Sequence, residues 1–281
     1  MRLQFTKGHG TGNDFVLFTD ADREVDLTEE RVRALTDRHV GVGGDGVIRA
    51  VRADGIAEVR GQDAEWFMDY RNGDGSIAEM CGNGVRVFAH YLLAEGLAEP
   101  DAEGMLPIAT RAGLKPVRVL GKGRYEVSMG EFTIAENETL VTAEGIDVAR
   151  PALSVDVGNP HRVVALATEA ELEALDLNRA PGLDPAADHG ANVEFVVPGA
   201  VTSGRGSIVM RVHERGVGET QSCGTGAVAA AMATRHWIGE DAPDAWLVRV
   251  PGGELDVTAS GTTATLAGPA ELVFSSDIDL P

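Results

Sequence analysis

Cys81-Gly82-Asn83-Gly84 and Cys223-Gly224-Thr225-Gly226 are two versions of one short motif, and they decide how the rest of the chain is interpreted. Each contains one of the only two cysteines among 281 residues. Each runs into a segment with a helical pattern (82–95 and 224–237), so both cysteines are predicted to lie at the start of a helix. The two motifs are 142 residues apart (223 − 81), about half the chain.

Two further landmarks repeat at a similar spacing. Gly12-Asn13 matches Gly158-Asn159 with an offset of 146 (158 − 12), and Gly130 matches Gly268 with an offset of 138 (268 − 130). The common order of the three pairs indicates an internal duplication with a cleft between the halves. We predict one half over 1–135, which carries Cys81, and another over 136–281, which carries Cys223.

The local patterns predict a mixed α/β (α+β) fold. Strands are predicted at 2–6, 15–19, 46–51, 65–70, 152–157, 162–166, 192–197 and 207–213, with a glycine loop at 9–14 and a hairpin at 249–257. Helices are predicted at 29–39 (with Thr28 as N-cap), 82–95, 169–175 and 224–237. The last helix contains Ala227-Val-Ala-Ala-Ala-Met-Ala233, which is too rich in alanine to be amphipathic and suits the centre of a curled sheet.

Composition excludes several classes of partner. The formal net charge is −20 and no run of basic residues occurs, which argues against a nucleic acid or an anionic membrane, because phosphate binding requires clustered cations. The N-terminus has no apolar stretch of signal-peptide length, so we expect a cytoplasmic protein with reduced thiols. Gly41-Val-Gly-Gly-Asp-Gly46 fits a dinucleotide-binding pattern, but it follows a helix and precedes a strand, so a tight loop is the better interpretation.

The two thiols are the strongest functional candidates. A single buried cysteine is usually a small apolar residue, but a helix N-terminus favours thiolate, and an ordinary thiol is only about 3% ionised at pH 7. Glycines after each sulfur let a ligand approach the backbone, whose N–H groups suit a carboxylate. Two such groups on opposite sides of one carbon would remove a proton from one face and return it to the other. Two isolated cysteines make a poor metal site, so we expect none.

Other polar residues are weaker candidates when they are considered singly. His161 follows the Gly158-Asn159 landmark, and this raises it above an ordinary loop histidine. Glu214 and Arg215 follow a predicted strand, and Arg215 at a strand end could clamp a carboxylate, although such pairs are usually solvated. The asparagines at strand ends are Asn13, Asn72 and Asn192, and turn formation is a competing explanation, above all for Asn72.

Five motifs together resemble the diaminopimelate epimerase family over nearly the whole chain, from residue 3 to about residue 269. They are His9-Gly-Thr-Gly-Asn-Asp-Phe15, Asn72-Gly-Asp-Gly-Ser76, Glu79-Met-Cys-Gly-Asn-Gly-Val-Arg86, Gly158-Asn-Pro-His161 and Glu214-Arg-Gly-Val-Gly-Glu-Thr-Gln-Ser-Cys-Gly-Thr-Gly226. The resemblance implies two pseudo-symmetric domains, each a mixed curled sheet or barrel around a central helix, with the active site in the cleft between them. It also implies that the last strand crosses back to the first half.

The resemblance further implies an isomerase without cofactor or metal, acting as a homodimer. It would interconvert LL- and meso-diaminopimelate in lysine and peptidoglycan precursor biosynthesis. Cys81 and Cys223 would be the two catalytic bases, with His161 and Glu214 near them. The implied substrate-binding residues are Asn13, Asn72, Gly82, Asn83, Asn159, Asn192, Glu214, Arg215, Gly224 and Thr225, with the helix N–H groups of Gly82, Asn83, Gly224 and Thr225 on the reacting carboxylate and Arg215 on the distal one.

The chain departs from the family pattern at Gly46, where some members have glutamine, and at Arg71 and Gly73, where many have phenylalanine and alanine. Three alternatives stay open. Proline or hydroxyproline racemase shares the two cysteines but needs no distal arginine. A dithiol redox protein usually has Cys-x-x-Cys rather than cysteines in opposite halves. A binding module would bind ligand without exchanging its α-proton.

Overall fold

The computed structural model describes residues 2–280, and it describes the side chains of all of these except residues 136–138. The strands are β1 (Arg2–Gly10), β2 (Asn13–Thr19), β3 (Gly46–Arg52), β4 (Trp66–Asn72), β5 (Met105–Ala109), β6 (Lys115–Gly121), β7 (Arg124–Glu131), β8 (Thr133–Thr142), β9 (Arg150–Asp156), β10 (Pro160–Ala165), β11 (Gly182–Asp184), β12 (Asn192–Pro198), β13 (Arg205–Glu214), β14 (Gly218–Thr220), β15 (Ala245–Val250), β16 (Gly253–Ser260), β17 (Thr263–Pro269) and β18 (Glu271–Asp279). The α-helices are α1 (Glu29–Thr36), α2 (Gly82–Ala94), α3 (Glu169–Glu173) and α4 (Gly224–Ile238).

The chain divides into two compact units. The first unit comprises Met1–Val127 and Gly268–Pro281, and the second comprises Ser128–Ala267. The last strand, β18, lies in the first unit because it pairs antiparallel with β1. The boundary near residue 135 that the sequence suggests stays a prediction.

The same strand order occurs in each unit. In the first unit the order is β18-β1-β2-β3-β4-β5-β6-β7, where β2–β3 and β4–β5 are parallel and the other neighbours are antiparallel. In the second unit the order is β8-β9-β10-β12-β13-β15-β16-β17, where β10–β12 and β13–β15 are parallel and the other neighbours are antiparallel. Such a match of order and direction is what an internal duplication produces.

A central helix fills the inside of each curled sheet. Helix α2 contacts β1, β2, β3, β5, β6 and β18, and helix α4 contacts β9, β10, β12, β13, β15 and β16. Val85, Phe88 and Leu92 form the buried stripe of α2, and each is fully buried. In α4 the side chains of Ala229, Ala230 and their neighbours are fully buried, so this part of the helix has no polar face. The predicted α+β fold class is confirmed.

Most predicted boundaries agree with the structure within two residues, and two elements differ by more. The predicted loop at 9–14 is wrong in extent, because β1 continues to Gly10 and the turn to β2 needs only Thr11 and Gly12, both with positive φ (51° and 80°). Helix α1 stops at Thr36, whose hydroxyl bonds the Val32 carbonyl and the Gly73 carbonyl. Among residues 2–280, no helix is long and apolar enough to cross a membrane.

Ala230→Leu is expected to destabilise the second unit. The extra methylene and methyl groups would overpack a fully buried position in α4, at a cost of about 1–3 kcal/mol. Ile238→Leu in the exposed last turn of the same helix is the matched control, with an expected change within about 0.5 kcal/mol. Urea unfolding measures both, and equal stability of the two variants would contradict the tight packing described for α4.

Candidate active site

Each cysteine caps the central helix of its unit with its sulfur. Cys81 and Cys223 have extended backbones (φ −137° and −119°), as N-cap residues require. The Sγ atom of each accepts a hydrogen bond from the N–H group three residues later, from Gly84 and Gly226, at 3.4 Å in both cases. The helix-start position predicted for both cysteines is therefore confirmed.

In the first unit, Cys81 is part of a chain of side-chain hydrogen bonds. Asn13 lies at the start of β2, and its Oδ1 accepts from Cys81 Sγ at 3.5 Å and from Asn83 Nδ2 at 3.3 Å. The other end of the Asn13 amide donates to Asp45 Oδ2 at 2.7 Å. Because a carboxylate only accepts, Asp45 fixes which end of the amide faces the sulfur. We call Cys81, Asn83, Asn13 and Asp45 the first thiol cluster.

Asp45 lies in the Gly41–Gly46 segment, which connects α1 to β3 as the tight loop that was predicted. Arg38 bridges Asp14 and Asp45 at 2.8 Å to each, and Lys7 Nζ lies 2.6 Å from Asp14. Burial raises the pKa of Asp14, but the hydrogen bonds and charges of Arg38 and Lys7 outweigh it and hold that pKa well below its usual range. Burial raises the pKa of Asp45. This network of charges holds Asp45, and Asp45 in turn fixes the orientation of the Asn13 amide.

Sequence reasoning assigned no role to Arg86, although it lies inside the quoted motif. Its side chain is fully buried in α2, where it donates to the Gly82 carbonyl at 3.0 Å and to Asn83 Oδ1 at 2.9 Å. Burial lowers the pKa of Arg86 to about 10, so the guanidinium stays charged at neutral pH, and the Cys81 sulfur opposes that shift. The signal for this role was an arginine on an otherwise apolar helix.

In the second unit, a histidine and a glutamate lie below the start of α4. His161 and Glu194 are both fully buried, with Nδ1 of the ring 2.7 Å from Glu194 Oε1. The other ring nitrogen lies 2.9 Å from Asn159 Oδ1. Cys223 Sγ lies 3.5 Å from Thr225 Oγ1. We call these five residues the second thiol cluster.

Glu194 was also missed at the sequence level. It lies in β12, two residues after Asn192, so the strand period places both side chains on one face. The signal was a single carboxylate within Val-Glu-Phe-Val-Val, a run that is otherwise apolar.

The expectation that Cys223 is more ionised than an ordinary thiol is wrong, although the helix N-terminus itself acts in the expected direction. Burial raises the pKa of this thiol well above its ordinary value, and the negative charges of Glu214 and Glu194 raise it further. The bonds from Thr225 and from the Gly226 N–H act in the opposite direction and are outweighed. Cys223 is therefore a thiol rather than a thiolate at neutral pH.

The remaining predicted residues of the second unit lie at neighbouring strand ends. Asn192 is the first residue of β12, and its Oδ1 accepts from the Arg215 backbone N–H at 2.9 Å. Glu214 ends β13, and its carboxylate accepts from the Thr220 hydroxyl. The exposed Arg215 guanidinium donates to the His189 carbonyl at 3.0 Å. These contacts hold the backbone around Arg215.

Asn72 and Gly46 are the remaining positions in the first unit that the sequence singled out. Asn72 ends β4, opposite Gly46 of β3, and its Nδ2 donates to Ser76 Oγ at 3.0 Å. A Cβ on Gly46 would lie 2.4 Å from the Arg71 carbonyl oxygen and 2.6 Å from the Tyr70 ring. No side chain fits there, so this chain cannot use a glutamine at that position. The described residues contain no group of three His, Cys, Asp or Glu side chains placed to hold a metal ion.

Solved structures share this architecture. A phenazine biosynthesis protein from Bacillus anthracis superimposes with a TM-score of 0.73 at 16% identity, over 99% of each chain. A hydroxyproline epimerase from Agrobacterium vitis, solved with trans-4-hydroxy-L-proline bound, superimposes with a TM-score of 0.66 at 15% identity, over 99% of this chain and 92% of the other. At these identities the likeness establishes the fold class that includes such proteins, and nothing about substrate.

Sequence comparison is more specific. The family model described as diaminopimelate epimerase matches residues 5–135 and 153–273, which include both cysteines. The diaminopimelate epimerase of Rhodococcus erythropolis is 48% identical over 98% of this chain and 96% of its own length. The chain therefore belongs to the diaminopimelate epimerase family, as the five motifs predicted, and it is an isomerase.

Asp14→Asn is expected to lower stability in a pH-dependent way. Because the folded-state pKa of Asp14 is lowered, its contribution is present above the unfolded value of about 3.9 and is lost as the pH falls through the folded value. We expect a loss of about 1–3 kcal/mol at pH 7 and a smaller loss below about pH 4, measured by urea unfolding. The exposed Asp54→Asn is the control. An equal loss at both pH values would show that charge contributes nothing.

Proposed function

We propose that the protein epimerises LL-2,6-diaminopimelate to meso-diaminopimelate by two-base proton transfer at one α-carbon, without a cofactor. Family membership over both cysteine-bearing segments is the main support for the substrate. The observation that supports the chemistry is the repeated placement of a thiol at the N-cap of a central helix. The product would feed lysine and peptidoglycan precursor biosynthesis.

The proton balance of the proposed reaction needs one thiolate and one thiol. The thiolate takes the α-proton as the C–H bond breaks, and the electron pair moves into the adjacent carboxylate. The opposite thiol then gives its proton to the other face of the same carbon. The reverse reaction exchanges the two roles. The raised pKa of Cys223 supports its assignment as the thiol of this pair.

Helix N-termini are proposed to stabilise the charge that develops on the carboxylate. The first turns of α2 and α4 begin with Gly82-Asn83 and Gly224-Thr225. Backbone N–H groups at a helix start favour a nearby anion, and that effect is larger in a site from which water is excluded. We therefore propose these four residues for the α-carboxylate. The buried Arg86 adds a positive charge behind the α2 turn.

Supporting roles follow from the two clusters. We propose that Asn13, oriented by Asp45, positions the substrate beside Cys81. His161 and Glu214 are proposed to act beside the thiols, since His161 bonds Asn159, and Glu214 contributes to the raised pKa of Cys223.

The distal end of the substrate is proposed to bind at the strand ends of β4, β12 and β13. Asn72, Asn159, Asn192 and Glu214 would bind the distal amino-acid group, and Arg215 would bind its carboxylate. Support comes from the bond between Asn192 Oδ1 and the Arg215 backbone, which fixes the point where the guanidinium chain begins. A racemase for proline would need no such group, because its substrate has one carboxylate.

We also propose a homodimer in the cytoplasm. Val273 and Phe274 of β18 are 57% and 48% exposed, and a second copy of the chain could cover them. Light scattering of the purified protein tests the oligomeric state directly.

Incubation with LL-diaminopimelate in D₂O tests the reaction. We expect meso product that carries one deuterium at the inverted carbon, measured by NMR and chiral chromatography. Cys81→Ala and Cys223→Ala are each expected to lower the epimerisation rate at least about 10³-fold, because either change removes one of two proton-transfer groups.

Met210→Leu, a buried change of similar volume in the same unit as Cys223, is the control for folding. Exchange with proline but not with diaminopimelate would contradict the proposed substrate. Binding of diaminopimelate without exchange would leave a binding module, and reduction of a test disulfide without exchange would leave a redox protein.

Arg215→Met tests the distal clamp. Loss of a charge-assisted contact to the distal carboxylate is expected to lower kcat/KM for diaminopimelate by about 100-fold, mainly through KM. L-lysine is diaminopimelate without one carboxylate, so its binding should be equally weak in the variant and the parent protein. Arg179→Met, which breaks an exposed pair with Glu144, is the matched control. A similar loss for lysine binding would contradict the clamp.

A further inference from the structure

The second unit carries a buried polar pair where the first unit carries an apolar pair. The β2–β3 and β10–β12 pairings have the same register, and this aligns Phe15 with His161 and Ile48 with Glu194. In the first unit, Ile48 Cδ1 lies 3.3 Å from the position that a Cβ on Gly84 would take. The two units therefore carry different residues beneath the first turn of the central helix: an apolar pair beneath α2, and a histidine with a glutamate beneath α4.

Glu194 lies against the first turn of α4. Its Oε1 bonds His161 Nδ1, whereas its buried Oε2 has no hydrogen-bond partner among the described side chains and backbone. A Cβ on Gly226 would lie 2.7 Å from Glu194 Oε1 and 3.3 Å from Cys223 Sγ, so the oxygen and the sulfur are at most 6.0 Å apart. The Glu194 carboxylate therefore lies close to the Cys223 thiol.

The electrostatics of Cys223 agree with this geometry. Burial raises the pKa of the Cys223 thiol most, and the negative charges of Glu214 and Glu194 raise it further. A negative charge close to a thiol disfavours thiolate, since two like charges would then share one site.

Other charges around α4 leave Glu194 and Glu214 as the groups that act on Cys223. Glu214 faces it from the end of β13, Glu194 from β12, and His161 from β10 as the partner of Glu194. The other charged or titratable side chains of these strands bond elsewhere: Arg150 with Glu171, Asp156 with the Gly158 N–H, Arg162 with the His161 carbonyl, Arg211 with Glu219, His213 with the Leu177 carbonyl, Arg249 with Glu254, and Asp256 with Arg205.

We propose that Glu194 is a positioning residue that fixes the His161 ring and keeps the proton on Cys223 in the substrate-free protein. The inference rests on the proposed two-thiol function, in which one sulfur must be protonated when the other takes the α-proton. It assigns Cys223 as the proton donor of the resting protein. Glu194, buried beneath the first turn of α4, thus adds to the effect of Glu214 in making the two otherwise equivalent thiols different.

The test is the pH dependence of Cys223 alkylation by iodoacetamide, followed by peptide mass spectrometry without any substrate. Glu194→Gln keeps the shape of the side chain and an acceptor for His161, and removes the charge. We expect the alkylation midpoint of Cys223 to fall by about one pH unit. At a fixed pH below both midpoints, alkylation should then be about tenfold faster than in the parent protein.

Two variants make the result specific. Glu171→Gln removes another carboxylate of the second unit and keeps an acceptor for the Ala167 N–H, and it should leave the midpoint unchanged. Glu194→Asp keeps the charge and should keep the midpoint above that of Glu194→Gln. Equal midpoints in the parent protein and Glu194→Gln overturn the proposal.

If Glu194→Gln does not fold, a parent midpoint at or below the ordinary thiol value of about 8.5 overturns the proposal. The assay contains no substrate, so failure of the epimerase reaction in the D₂O experiment would be seen separately and would not imitate either outcome.

Discussion

A sulfur atom at the N-cap of the central helix is the feature on which each unit depends. The first N–H groups of a helix have no partners inside the helix, so they need partners from outside it. A cysteine there satisfies one N–H group through Sγ at 3.4 Å and leaves a reactive group at the helix start. Cys81 and Cys223 therefore occupy equivalent positions, at which each cysteine both caps a helix and places a thiol at the start of that helix.

The glycine three residues after each cap, Gly84 or Gly226, leaves no free space for a side chain. The neighbour that such a side chain would meet differs between the two units. A side chain at Gly226 would collide with the Glu194 carboxylate, whereas one at Gly84 would press on the Met68 and Ile48 side chains. Alanine-rich α4 and the bulkier α2 show that the centre of a curled sheet can be filled either by a helix of small residues or by one with larger side chains.

Much of this could be predicted from the sequence. The cysteine motifs, the helices after them and the fold class depend on local patterns and on spacing, which a sequence displays directly. The role of Arg86 rests on local bonds to Gly82 and Asn83, and an arginine on an otherwise apolar helix was its signal. The roles of Asp45 and Glu194 could not be predicted, because each depends on a contact between segments that are distant along the chain. The pKa of Cys223 was misjudged for the same reason, since local helix geometry favours thiolate while distant carboxylates and burial oppose it.

Duplication followed by divergence accounts for two thiols that occupy equivalent helix caps but have different surroundings. Two identical thiols that share one site would lose their protons in two separate steps, but neither sulfur would be preferred as the one that keeps its proton. Replacing an apolar pair such as Phe15 and Ile48 by His161 and Glu194 removes that equivalence without moving either sulfur from its helix cap. The fold supplies equivalent positions for the thiols, and the residues beneath them decide which sulfur keeps its proton.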